Sequence, residues 1–166
     1  MSDFKVVDAS IGGQGIAVNS TTLDDQLGRE IVALDMATTE YGFGTFIYLK
    51  GVASTVVGSV VTFERANYVT TLTVANAIGS IGVAMSACVA GEYGWYQISG
   101  RAVCEVLTSF AADKVAYLTS TAGELDDAVV VGDEVYSTFS FTAIATPAAG
   151  QAEISIDRPF TTDASN

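Results

Sequence analysis

The sequence predicts an all-β protein, a single compact β-sandwich or small jelly-roll-like β-barrel preceded by an extended N-terminal arm. Three observations lead there. After residue 44, strand-like runs follow one another at short intervals, with Gly, Asn or Asp between them. Helical periodicity is confined to one stretch near residues 23–34. Finally, hydrophobic residues make up 49% of 166 positions and charged residues only 16%. A chain of that size and composition buries about 70% of its unfolded surface in one domain, without needing disulfides.

Residues 1–44 read as the arm. Glycines recur there at Gly12, Gly13, Gly15, Gly28, Gly42 and Gly44, among scattered apolar residues. Leu23, Leu27, Ile31 and Leu34 recur at helical spacing, with Thr22 placed to cap and Asp24 and Asp25 in the first turn. Against a short helix over 23–34 stand Gly28, at about 1 kcal/mol in a helix interior, and the β-branched pair Ile31-Val32. Both readings stay open, with extended chain favoured.

The β-domain spans residues 45–160, and 161–166 form a flexible tail. Strands are expected over 45–50, 56–63, 68–75, 81–88, 92–98, 101–107, 114–119, 129–136, 138–146 and 151–157. Residues 56–63 are apolar on both faces except at Gly58, Ser59 and Thr62, as in a central strand. In 81–89, Ile81, Val83, Met85 and Val89 share one face, and Gly82, Ala84, Ser86 and Cys88 the other, where a second layer can approach closely. Residues 91–106 read as two runs flanking a Ser99-Gly100 hairpin turn, Gly supplying the positive φ. Tyr93 and Trp95 face opposite to Tyr96 and Ile98, so both faces of that hairpin meet protein. One face meets the core and the other a second sheet or a neighbouring subunit, with Tyr93 and Trp95 the candidates for subunit contact. The last run alternates Ala152, Ile154, Ile156 with Gln151, Glu153, Ser155, Asp157, a strand wet on one side.

Seven basic residues against 19 acidic ones give a net charge of −12. That argues against nucleic acid, whose binding depends on Lys and Arg displacing counterions. Residues 66–91 are uncharged but laced with Asn, Thr and Ser at strand-like alternation, which argues against a membrane span. The start Met1-Ser-Asp-Phe-Lys has no basic, then apolar, leader pattern, so synthesis in a cytoplasm is expected. Cys88 and Cys104 read as small buried thiols, with a disulfide the alternative if their strands pair, which synthesis in a reducing cytosol disfavours.

No histidine occurs. This removes Ser-His-Asp and Cys-His catalysis, His-bearing zinc sites and the usual proton shuttle near neutral pH. Gly12-Gly13-Gln14-Gly15 lacks the Gly-Lys-Ser/Thr of a P-loop and the spacing of a dinucleotide fingerprint, and reads as a flexible bend. Asp24-Asp25, Asp126-Asp127 and Asp133-Glu134 could ligate calcium or serve a glycosidase only if loops brought them together. They read instead as solvated turns. Neither catalysis nor a cofactor or metal site is expected.

Gly94-Trp95-Tyr96-Gln97-x-x-Gly100-x-Ala102 resembles a segment recurrent in the decoration, or cement, proteins of tailed-bacteriophage capsids. Residues 45–61 resemble the second recurrent block of that group. With the acidic turn 122–127 and the closing 153–160, the likeness covers roughly residues 40–160. The resemblance implies a virion protein on the outer surface of an icosahedral head, partnered by the major capsid protein and by itself, with a trimer the commonest state. In that setting Phe4, Val6, Leu23, Leu27, Ile31, Tyr41 and Phe43 would anchor the arm to the capsid. Deleting residues 1–40 would then leave a folded β-domain unable to bind. The alternative is a β-sandwich carbohydrate-binding or receptor-binding module, using Tyr93, Trp95 and Tyr96 as an aromatic platform.

Overall fold

The alternating and two-sided apolar runs become a sheet that curls on itself. The computed structural model describes residues 3–6 and 13–162, and among these there is no helix. The strands are β1 (Phe4–Val6), β2 (Asn19–Ser20), β3 (Glu30–Asp35), β4 (Phe43–Lys50), β5 (Val60–Phe63), β6 (Thr70–Leu72), β7 (Gly79–Ala84), β8 (Tyr93–Glu105), β9 (Tyr117–Leu118), β10 (Leu125–Asp126), β11 (Tyr136–Ser140) and β12 (Gln151–Thr161). Ten form one antiparallel sheet in the order β1-β3-β4-β8-β12-β7-β5-β6, with β11 added to β12 and β2 to β8. β9 and β10 form a separate ribbon. β8 also pairs with β7, and a parallel bridge between Lys50 and Val69 brings the end of β4 against the start of β6. The path β4-β8-β7-β5-β6 thus returns to its beginning, and the sheet becomes a half-barrel. The all-β class is borne out.

The expected hairpin at Ser99-Gly100 is instead one unbroken strand. β4 pairs with the first half of β8, from Tyr93 to Ser99, and β12 pairs with the second half, from Ser99 to Glu105. Gly100 does take a positive φ of 103°, but it bends the strand rather than reversing it. A β carbon there would stand 2.6 Å from the Phe43 carbonyl oxygen, so glycine lets β4 approach. The buried Gln97 side chain secures the bend, its Nε2 donating to the carbonyls of Ser99 and Arg101, both at 3.1 Å. The Gln-x-x-Gly spacing is therefore a strap around a strand kink.

Three apolar clusters fill the fold. β4 and β8 are buried on both faces, so Phe46, Tyr48 and Trp95 enter one cluster while Ile47, Leu49, Tyr96 and Ile98 enter another inside the curl. Ala102, Cys104, Ile154 and Ile156 pack with Leu118 and Leu125 of the ribbon in the third. The small-residue face near residue 82 is approached by the neighbouring strand β8 rather than by a second layer, the Tyr96 Cβ lying 3.2 Å from where a Gly82 side chain would begin. Residues 56–63 shorten to β5, because Val56 and Val57 sit exposed in the preceding turn.

The expected N-terminal arm is corrected most. Residues 30–35 are neither helix nor free arm; they are β3, paired with β1 and β4. Ile31, Ala33 and Asp35 face inward in strict alternation, so the β-branched pair prevails over the Leu/Ile spacing once β4 supplies a partner. Gly28, at φ 80°, ends the turn before β3 beneath the ring of Tyr68. Phe4, Ile16, Ile31, Ala33 and Tyr41 pack on Phe46, Tyr48 and Trp95. Removing residues 1–40 would leave those aromatic rings facing water, so the segment belongs to the domain. Residues 1–2 and 7–12 of the expected arm, and 163–166 of the expected tail, lie outside the described residues.

Asp35, buried at the end of β3, organises the turn to β4. Its carboxylate accepts from the backbone N–H of Asp3 (2.8 Å) and Ala37 (3.0 Å) and from the Thr38 hydroxyl (2.8 Å). Burial pushes its pKa up, but these hydrogen bonds outweigh burial and hold it below the ordinary carboxylate value. The contribution is therefore complete above about pH 4, the unfolded range, and is lost as pH falls through the lower folded value. An Asp35→Asn variant should be less stable at pH 7 and lose stability less steeply below pH 4. Urea midpoints across that range measure it, and parallel profiles for the two proteins would refute the assignment.

Candidate interaction surfaces

The acidic pairs singled out in the sequence are placed apart and engaged locally. Asp25 binds Arg29 at 2.9 Å, Asp126 accepts from the Asp127 N–H at 2.9 Å, and the buried Asp133 accepts from the Asn76 N–H at 2.5 Å. Among the described residues no three His, Cys, Asp or Glu side chains converge as a metal site. Cys88 and Cys104 are free and buried, and burial raises both thiols, Cys104 to about 12. The Gly13-Gln14-Gly15 segment is tied down rather than a free bend. Gln14 accepts from the Tyr48 hydroxyl (2.7 Å), donates to the Tyr93 carbonyl (2.9 Å) and takes the Trp95 indole N–H on its own carbonyl (3.0 Å).

One charged cluster crosses the fold. Glu153 on β12 is buried and accepts from the Tyr41 hydroxyl (2.6 Å) and from Arg101 of β8. Arg101 also reaches Glu40 at 3.1 Å, and its guanidinium lies over the rings of Tyr41 (5.7 Å) and Phe141 (5.0 Å). Burial, then the hydrogen bond and charge of Glu153, raise the Tyr41 phenol well above its ordinary value, which keeps it a neutral donor. Both Glu153 oxygens are occupied. The cluster latches the β3–β4 turn onto β8 and β12, and offers no free base.

Most of the predicted contact residues turn inward. Phe4, Ile31, Tyr41 and Trp95 are buried in the cluster around Phe46 and Tyr48, and Val6, Leu27 and Tyr93 are half-buried against it. The arm anchors Phe4, Ile31 and Tyr41 and the subunit-contact candidate Trp95 are thereby corrected, because their own chain covers them. Leu23 and Phe43 remain exposed, at 52% and 62%. Phe43 stands in a cross-strand row with Leu34 and Lys5 on the outer face of β1, β3 and β4.

A second apolar surface escaped the sequence reading. Residues 129–131 were expected as strand, but they form a turn in which Val129 and Val131 are 78% and 75% exposed. Tyr136 lines the same hollow and stacks on Phe160, ring centroids 5.1 Å apart. Further along β11, Phe139 and the adjoining Phe141 meet edge to face at 6.2 Å, both exposed. Asp126 and Asp127 precede the valines and Glu134 follows them. The signal was present as three valines between two acidic pairs, but β propensity assigned them to a strand. Every arginine, by contrast, is paired within the chain, Arg29 with Asp25, Arg65 and Arg158 with Glu30, and Arg101 with Glu40 and Glu153.

No family model, curated protein or solved structure matches this chain.

Proposed function

We propose that the protein is a structural component of a phage particle, bound to the outer surface of an icosahedral head, where it cements adjacent major capsid subunits against the pressure of packaged genome. One observation carries the reading. Large apolar side chains are left uncovered on β4, β11 and β12 (Phe43, Phe139, Phe160) and at the 129–131 turn, where acidic residues flank the valines, while the buried Glu153 is engaged by Tyr41 and Arg101 in latching the fold. Such surfaces suit adhesion to another protein. The likeness of residues 94–102 and 45–61 to capsid decoration proteins supports the same role, and a net charge of −12 suits a position away from DNA. By the same likeness the protein self-associates, most often as a trimer.

Purified protein should co-sediment with heads assembled without it, and its addition should raise the temperature at which those heads break open. Failure to bind, or recovery of the protein inside the particle against the genome, would end the proposal. The exposed rings of Phe139, Phe141 and Phe160, with the half-buried Tyr136 stacked on the last, also suit a glycan platform. Saturable binding to one sugar on a glycan array, with no binding to heads, would favour a carbohydrate-binding or receptor-binding module.

A further inference from the structure

Resting on that reading, we propose that the turn carrying Val129, Val130 and Val131, with the Tyr136–Phe160 stack beside it, is the face that seats on the shell. Its occupant is a protein surface whose apolar centre is rimmed by lysine or arginine.

The side chains of Val129 and Val131 contribute little packing to the fold that displays them. Two of the three are more than three-quarters or about three-quarters exposed, at a turn, where polar residues and glycine ordinarily stand. Their apolar area is left for something outside the chain.

The turn is also held rigid. The Asp133 N–H donates to the Val130 carbonyl (3.1 Å), and the Leu118 N–H donates to the Asp133 carbonyl (2.8 Å). The Asp133 carboxylate, itself buried, fixes the Asn76 turn alongside. The Val135 N–H donates to the Ala116 carbonyl at 2.9 Å, and Tyr117 bridges Glu134. A surface ordered before binding loses little conformational freedom on docking. The stacked rings give it the aromatic centre typical of the residues that dominate interfaces.

Charge selects the occupant. Glu134 lines the hollow with the valines, Asp126 is paired across the ribbon with Tyr117 of the same hollow, and Asp127 follows it, all three acidic residues half-buried. No basic side chain answers them. The arginines are paired elsewhere, Lys5 pairs with Asp3, Lys50 ends β4, and Lys114 lies by Ser140 at the far end of β11. A second copy of the same face would bring acidic rim against acidic rim, which is unfavourable. A basic-rimmed partner complements it.

The test uses heads assembled without this protein as the probe. Four proteins are compared by co-sedimentation at low and high salt: wild type, Val129→Asp/Val131→Asp, Asp126→Asn/Asp127→Asn, and Phe43→Asp on the outer face of β4. Thermal unfolding establishes that each variant is folded, and sedimentation velocity gives its oligomeric state. The valine variant should bind more than about tenfold more weakly, with Phe43→Asp close to wild type. Wild-type binding should fall with salt, and the Asn variant should bind more weakly and with a flatter salt dependence. Valine-variant binding equal to wild type overturns the face while leaving head binding intact. Unchanged binding of the Asn variant at every salt overturns the basic rim. Conversion of a wild-type oligomer to monomer by the valine substitutions makes the occupant a second copy and overturns the proposal. No head binding by wild type removes the function and this face with it.

Discussion

Trp95→Ala should lower unfolding free energy by about 3–5 kcal/mol, the range for removing a large aromatic side chain from a core. Trp95 is 1% exposed, its ring centroid lies 5.0 Å from that of Tyr48, and its indole N–H is the donor to the Gln14 carbonyl. The substitution opens a cavity where β4, β8 and the 13–16 segment meet, and leaves that carbonyl without its partner. Urea unfolding of the variant beside wild type reads the loss directly. Tyr93→Ala should cost less, because Tyr93 is half-buried and stacks on Tyr48 only at the margin, at 6.5 Å. The sequence suggests that loss of Trp95 would weaken assembly more than folding. The packing predicts the reverse, and a Trp95→Ala protein with the wild-type urea midpoint would contradict it.

Gly100→Ala should be the most damaging of the conservative glycine substitutions in β8, and Gly91→Ala provides its control. Both glycines have positive φ, 103° and 84°. A side chain on Gly91 meets nothing within 4 Å, whereas one on Gly100 meets the Phe43 carbonyl oxygen at 2.6 Å. Gly91→Ala therefore reports backbone strain alone, about 1–3 kcal/mol. Gly100→Ala adds the separation of β4 from β8 at the point where Gln97 straps the bend, so its loss should exceed that of the control. The difference between their unfolding free energies measures the close approach, and equal losses would show that none is needed.

What the sequence reveals here depends on whether a pattern is resolved by its own residues or by a distant partner. Residues 45–50 and 151–157 are legible because their apolar faces fix strand and register locally, and the structure extends them to Phe43–Lys50 and Gln151–Thr161. Residues 23–34 are not. Leu27, Ile31 and Leu34 fit helical spacing as well as β3 does, and only the β4 partner decides. Gly100 signals a change of direction, but its size, a kink rather than a reversal, is set by β4 and β12 lying on successive halves of β8. The apolar character of Phe4, Ile31 and Tyr41 is plain in the sequence. That they meet Phe46 and Trp95 rather than another protein is visible only once β1 and β3 join the sheet. For the surfaces, the lack of catalytic histidine was legible, while the display of Val129 and Val131 was hidden by valine's preference for strands.

The position of β8 also bears on how the polypeptide is made. β12, the floor of the cluster containing Ala102 and Cys104, follows β8 by more than forty positions, and its Ile154 and Ile156 cannot be replaced by anything upstream. A nascent chain that has released β4 and β8 can fill the clusters around Tyr48 and Tyr96, but Ala102 and Cys104 still lack their floor. Consolidation of that third cluster is expected to wait until residues 151–161 clear the ribosome, so chains cut short before β12 should be the forms most exposed to aggregation.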